Sequence, residues 1–278
     1  MNSNHASTLK NSVERILLAS AIMVGGHTLT HAQATGELPS ISTDRPGQAT
    51  PPAILLPGSI QIEAGVQLTS DAATVEEVET TERTTSMPAA LVRIGVLPTM
   101  ELRLSTEVRS VGTSITPGTF DTTVSGLSGV GLGIKIGVTA EQGAIPETAF
   151  LLTLALPVGE ENFRVSNVAP TFLFAMRNGL SSTTNLYYNL GATWDGTNGA
   201  GYGLYNVLLS SSLTGSLGVF GEVYGTVATG RLPTHAADLG LAYLLGNNLQ
   251  IDLYGGVGIT DNAPDYFVAG GVSVRLPR

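Results

Sequence analysis

The 278-residue sequence predicts an all-β fold, a closed antiparallel transmembrane β-barrel of about 12 strands in up-and-down order. Three observations carry that expectation. Apolar and polar residues alternate with a period of two, as in Ile60, Ile62, Ala64, Val66 and Leu68 against Gln61, Glu63, Gly65 and Gln67. The 34 glycines and many Ser/Thr-rich turns punctuate the alternating segments at strand length. Beyond residue 34 there is no run of about 18 apolar residues that could cross a membrane as a helix.

The N-terminus stands apart from this pattern. Lys10 and Arg15 precede the apolar run Ile16 to Gly26, and the small-residue site Ala32-Gln33-Ala34 follows. That order predicts a signal peptide over residues 1–34, cleaved after Ala34. Residues 35–58 form a Pro-rich lead-in, and residues 59–278 form the barrel. In the lead-in, Pro39, Pro46, Pro51, Pro52 and Pro57 break any strand. The segment either hangs in the periplasm or folds back as a plug, with Asp44 and Arg45 as its candidate partners for lumen charges.

Charge and composition narrow the function classes. Without Lys10, Glu14 and Arg15 the remaining chain is one unit more negative than the −9 of the whole sequence, which argues against nucleic-acid binding. There is no cysteine, so neither a disulfide framework nor a thiolate metal site can form. His235 is the one histidine after residue 34, so a histidine metal centre lacks its ligands. No cofactor and no metal are expected. His235 with Asp238 could be imagined as part of a hydrolase, but the sequence displays no nucleophile, base and orienter in mutual geometry, and no enzyme activity is expected.

The strands follow in order. After the first, Thr69 to Ser86 reads as a polar loop holding Asp71, Glu76, Glu77, Glu79, Glu82 and Arg83. Such a run is a solvated face or, in a sharper reading, a divalent-ion bridge to anionic surface lipid. The second strand carries Ala90, Val92, Ile94 and Val96. The third alternates Leu102, Leu104, Thr106 and Val108 with Glu101, Arg103, Glu107 and Arg109. A loop from Val111 to Ser128 leads to the fourth, Val130 to Val138, where glycines alternate with aliphatics. The fifth shows Phe150, Leu152, Leu154 and Leu156 on one face. The sixth shows Val168, Pro170, Phe172, Phe174 and Met176, with a proline that loosens its register.

The seventh strand sets Leu186, Tyr188, Leu190, Ala192 and Trp194 against Asn185, Tyr187 and Asn189, and the eighth, Tyr202 to Leu209, is ambiguous. The ninth turns Phe220, Glu222 and Tyr224 inward. The tenth runs from about Ala237 to Leu245, after a loop holding His235. The eleventh and twelfth set Gln250, Asp252 and Tyr254, then Phe267, Ser273 and Arg275, on the polar side. Links after the first, third and ninth strands are long and most links after even strands are short, the asymmetry of outer-membrane barrels. Trp194, Tyr243 and Tyr266 stand at strand ends, where amphipathic rings favour the headgroup level.

In this register Glu63, Arg93, Glu101, Arg103, Glu107, Arg109, Lys135, Glu222, Asp252 and Arg275 face the lumen. Mixed-sign charges in a narrow barrel pair into a filling ladder. They can also border a polar path and set its selectivity.

The stretch TDRPGQATPP followed by LPGSIQIEAGV, the strand Leu91-Val92-Arg93-Ile94-Gly95 with Glu101-Leu102-Arg103 after its turn, and NNLQIDLYGGVGITDNAPDYFVAGGVSVRL resemble the MetA-pathway-of-phenol-degradation family, often called simply transporters. The resemblance covers most of the chain after residue 34. It implies an outer-membrane barrel of a Gram-negative bacterium that passes small, aromatic or hydrophobic molecules. Its partners would be membrane lipid, lipopolysaccharide and a small-molecule solute. Two readings compete with that one: a closed-lumen structural or surface-interaction barrel, and an exported soluble β-sandwich.

Overall fold

The computed structural model describes residues 38–118 and 120–276, so the signal peptide expected over residues 1–34 lies outside the described residues. Among these, twelve strands follow one another: β1 (Ile60–Val75), β2 (Val78–Leu97), β3 (Met100–Thr116), β4 (Phe120–Thr139), β5 (Glu147–Leu156), β6 (Ala169–Gly179), β7 (Thr184–Trp194), β8 (Gly201–Ser212), β9 (Leu217–Val227), β10 (Thr234–Leu244), β11 (Leu249–Gly258) and β12 (Tyr266–Leu276). Each pairs with its neighbours in sequence, and β1 closes on β12 to complete a barrel. The closing ladder is antiparallel and runs from Ile60 opposite Leu276 to Ser70 opposite Tyr266. Closure removes every sheet edge, and with it the β-sandwich reading.

The faces are sorted opposite to a soluble protein. Ile62, Leu104, Leu132, Phe174, Leu190, Leu209, Leu241, Leu253 and Val272 are exposed on the outer wall, while Gln61, Glu63, Arg93, Glu101, Lys135, Asn189 and Ser273 are the largest fully buried side chains of the strands. Soluble monomers rarely expose more than a few hundred Å² of contiguous apolar surface. An apolar belt around a polar interior is instead the pattern of a membrane barrel. Trp194, Tyr243 and Tyr266 all lie exposed at strand ends.

The end where Ile60 meets Leu276 is called proximal here and the opposite end distal. The strands β5 to β12 hold 10 to 12 residues, close to a tilted membrane span. By contrast β1 to β4 hold 16 to 20 and rise past the others at the distal end. Two segments expected as long loops are therefore mostly strand. Thr69 to Ser86 is the tip of the β1–β2 hairpin, paired out to Val75 opposite Val78. Val111 to Ser128 is largely the paired ends of β3 and β4, reaching Ile115 opposite Phe120. Both faces of these tips meet water, so the alternation that marks a strand is lost from the sequence while the backbone ladder persists.

Other register questions resolve on physical grounds. Pro170 sits opposite Leu154, while the pairing of β6 with β7 begins one residue later at Thr171, so its missing N–H interrupts no ladder there. In β8, Asn206 and Leu208 are buried while Val207 and Leu209 are exposed. Leucines on both faces made that strand unreadable from pattern alone. His235 belongs to β10 and not to the preceding loop, because Thr234 already pairs with Thr226 of β9. Its Nδ1 lies 2.9 Å from the Tyr205 hydroxyl. Three positions along a strand reverse the face, so His235 and Asp238 point to opposite sides of the wall.

Candidate functional site

Residues 39–58 of the lead-in form no strand, and from Ile41 onward the segment runs inside the barrel. Four of its prolines, Pro46, Pro51, Pro52 and Pro57, bring no N–H into the lumen, which reduces the backbone donors that need partners there. Much of the remaining polar backbone is held by wall side chains. Near the proximal rim, Arg275 donates to the Pro39 carbonyl at 2.6 Å and the Ile41 N–H donates to the Asn247 carbonyl at 2.8 Å. Deeper in, Glu63 Oε2 accepts the N–H groups of Asp44 (2.9 Å) and Arg45 (3.2 Å). Across the lumen Glu222 Oε2 accepts the Gln48 N–H at 2.7 Å. Asn189 exchanges two bonds with Thr50, at 2.7 and 3.0 Å. The segment then returns to β3, where Glu101 accepts the Leu55 N–H at 2.9 Å.

Of the charges that alternation placed on β1 to β4, Glu63, Arg93, Glu101, Arg103 and Lys135 gather around Asp44. Arg93 donates to both oxygens of Glu101 at 2.9 Å each and to Glu63 at 3.1 Å. Its guanidinium also lies 3.2 Å from Asp44. Lys135 Nζ lies 3.3 Å from Asp44 and 3.6 Å from Glu101, and Arg103 donates to Glu101 at 2.8 Å and to Asp44. Three cations thus meet three carboxylates, with Arg93 1% and Lys135 and Glu101 0% exposed. Such pairing is what offsets the cost of taking six charges out of water. Burial pushes the Asp44 carboxyl up, but Arg103, Lys135 and Arg93 outweigh it and hold the group well below the usual carboxylate range.

The other predicted residues are placed apart from that knot. Asp252 binds Arg45, with Nη2 to Oδ1 at 2.9 Å and Nε to Oδ2 at 3.3 Å. Arg275 also donates to Asn248 at the proximal rim, at 2.9 Å. Glu107 accepts from Ser86 and, at 3.1 Å, from Arg109; this half-exposed pair stands nearer the distal end.

Two cavities flank the segment. The first, of about 470 Å³, is lined by Asp44, Arg45, Leu91, Arg103, Glu107 and Val130, toward the distal side. The second, of about 370 Å³, is lined by Ile41, Thr43, Arg45, Tyr187, Phe220 and Ser216, toward the proximal turns. Arg45 borders both.

A family model described as "Putative MetA-pathway of phenol degradation" matches residues 43–276, which takes in the lead-in from Thr43 and all twelve strands. The chain belongs to this family. Among solved structures, this phenol-degradation MetA family member is similar to the COG4313 outer membrane channel from Pseudomonas putida F1, at 12% identity and a TM-score of 0.60, over 81% of this chain and 97% of that one. It is also similar to the translocator domain of the autotransporter NalP from Neisseria meningitidis, at 14% identity and a TM-score of 0.50, over 78% and 88% of the two chains. No curated protein matches the sequence.

Within this family member, a candidate site built only from charges left out two groups of lumen residues, most of which the alternation had already set on the polar side. The amides Gln61, Asn189, Asn206 and Gln250 also hold the segment: Gln61 donates to the Ser42 carbonyl at 2.9 Å, Asn206 to the Gln48 carbonyl at 3.2 Å and Gln250 to the Arg45 carbonyl at 3.0 Å. Their signal was an amide at an inward position of an alternating strand. The second group is apolar. Phe220, Tyr254 and Phe267 pack along one wall at centroid distances of 6.3 and 5.7 Å, and Ala49 of the lead-in lies in the same cluster. Asp238 was also passed over as a lumen group. It faces Glu222 directly across β9 and β10, and both its oxygens lack a donor.

Proposed function

We propose that the protein is a passive outer-membrane channel for small solutes, reached after export in a Gram-negative bacterium, and that residues 39–58 are its plug. The observation that carries this reading is the threading of the lead-in between two cavities, held by side-chain contacts from the wall rather than by a strand ladder. A structural barrel gains stability from a lumen filled by its own wall, as small barrels do. A detachable segment with a cavity on either side suits passage. Outside the barrel, the apolar belt suits acyl chains, and the hairpins rising beyond it suit the lipopolysaccharide layer.

The family's name, together with the aromatic wall of Phe220, Tyr254 and Phe267, supports small aromatic molecules among the solutes. Among the described residues no convergent nucleophile and base accompany them, which favours a conduit over an enzyme. The experiment is solute flux into proteoliposomes, with single-channel conductance for the wild type and a form lacking residues 35–56. Larger conductance in the deletion supports the plug. Unchanged conductance sinks the plug, and absence of flux from both forms favours the closed structural barrel.

A further inference from the structure

Arg45 occupies a site whose walls are complete without it. Gly65 of β1 lies directly opposite Gly271 of β12. A Cβ on Gly65 would stand 2.6 Å from Cζ and both terminal nitrogens of the guanidinium, and one on Gly271 would stand 2.5 Å from Nε and 2.6 Å from Cζ. The two glycines therefore make a flat floor on which the guanidinium plane rests, and any side chain at either position would fill it. Asp252 of β11, next to Gly271 in register and with a fully buried side chain, presents both oxygens along the guanidinium edge. The Tyr254 ring lies 5.5 Å from Cζ and adds a π face.

A planar floor, a forked acceptor and an aromatic face are the three requirements of guanidinium recognition. A point-charge ammonium has no plane to lay on the floor and no fork to match both carboxylate oxygens. The receptor belongs to β1, β11 and β12, whereas its occupant belongs to the plug. Arg45 borders both cavities, so the space it vacates would adjoin both.

We propose that this floor of Gly65 and Gly271, with Asp252 and Tyr254, is a binding site for small guanidinium or amidinium solutes, which Arg45 occupies when the plug is seated. Passage of such cations rests on the channel proposed above, whereas their binding does not.

The test uses the full-length protein refolded in detergent, with Arg45→Ala and Arg45→Gln as two ways to vacate the site. Each variant is first checked for the heat-modifiable gel migration of a closed barrel. Propylguanidinium at millimolar concentration should raise the thermal unfolding midpoint of both variants saturably by a few degrees. Wild type, with its site filled, should shift far less, and propylammonium should shift none of them comparably. Adding Asp252→Asn or Gly65→Ala to either variant should abolish the shift. Absence of a saturable shift in a folded Arg45 variant overturns the proposal, as does an equal response to propylammonium. Conductance measured in parallel judges the channel separately: propylguanidinium should reduce current through Arg45→Ala, and binding without current would fail the channel alone.

Discussion

Arg93 and Glu101 form a two-pronged pair inside the wall, Nε to Oε1 and Nη2 to Oε2 at 2.9 Å each, and neither side chain meets solvent. The same Glu101 oxygens hold Lys135, Arg103 and the Leu55 N–H, so the pair anchors both the barrel and the segment within it. Changing Arg93→Met leaves Glu101 and Glu63 short of their main cation. A stability loss of about 3 to 5 kcal/mol is expected, read by urea unfolding in detergent. The double change Arg93→Met with Glu101→Leu should recover part of that loss, because no half-pair remains. If the single variant unfolds like wild type, the knot contributes nothing to stability.

Asp44 is the plug's own member of this knot, and its removal should act on gating rather than on the barrel. Arg103, Lys135 and Arg93 hold its carboxyl well below the ordinary value near 3.9. A depressed carboxylate contributes its full docking stability above the free value and loses it as pH falls through the docked value. Conductance should therefore show no Asp44-dependent change from pH 8 down to about 5, then rise below about pH 4 as the plug loosens. Asp44→Asn should raise the open fraction about tenfold or more at neutral pH, the equivalent of losing about 1.4 kcal/mol of docking, and should flatten the acid rise. Single-channel records across pH 3 to 8 decide it; an acid rise that persists unchanged in Asp44→Asn would trace the effect to another group.

How much of this was legible depended on which environment each residue met. Between lipid and lumen the alternation is enforced on every strand, so Glu63, Arg93, Glu101, Arg103, Lys135, Glu222 and Asp252 could be placed inward from sequence position alone. Beyond the lipid the constraint lapses, and Asp71 to Glu82 reads as loop although it is paired in register to Val75 and Val78. Asp44 and Arg45 could be named as plug candidates from their charge. Their partners could not be, because an irregular proline-rich path has no period from which to infer which wall residue it will meet.

Glu222 and Asp238 face each other across β9 and β10, and one oxygen of Glu222 and both of Asp238 have no donor. Where both are ionised, two carboxylates in register repel and neither has a donor for the other. Asp238→Asn supplies an amide donor of the same shape beside Glu222. It should stabilise the barrel by about 1 kcal/mol, seen as a higher unfolding midpoint. Glu222→Leu should instead release the Gln48 N–H and increase conductance, since it removes a plug contact of 2.7 Å. A destabilised Asp238→Asn would mean that the carboxylate makes a contact the amide cannot replace.

The β1–β2 hairpin turns at Glu76 and Glu77, whose φ angles are +48° and +68°. Positive φ at both central residues is what a two-residue hairpin matched to strand twist requires, and Asn-Gly meets it with least strain. Two glutamates do not, since a Cβ in the left-handed region costs about 1 to 2 kcal/mol per residue. The pair also adds two negative charges to a tip that already holds Glu79 and Glu82. Replacing Glu76 by Asn and Glu77 by Gly should tighten the tip without moving the barrel's unfolding midpoint, because the hairpin end is exposed and opens locally. Limited proteolysis at the distal face should accordingly slow several-fold in the double variant. Unchanged cleavage would show that the tip opens further down its ladder, below Ser70 and Arg83, where turn chemistry has no leverage.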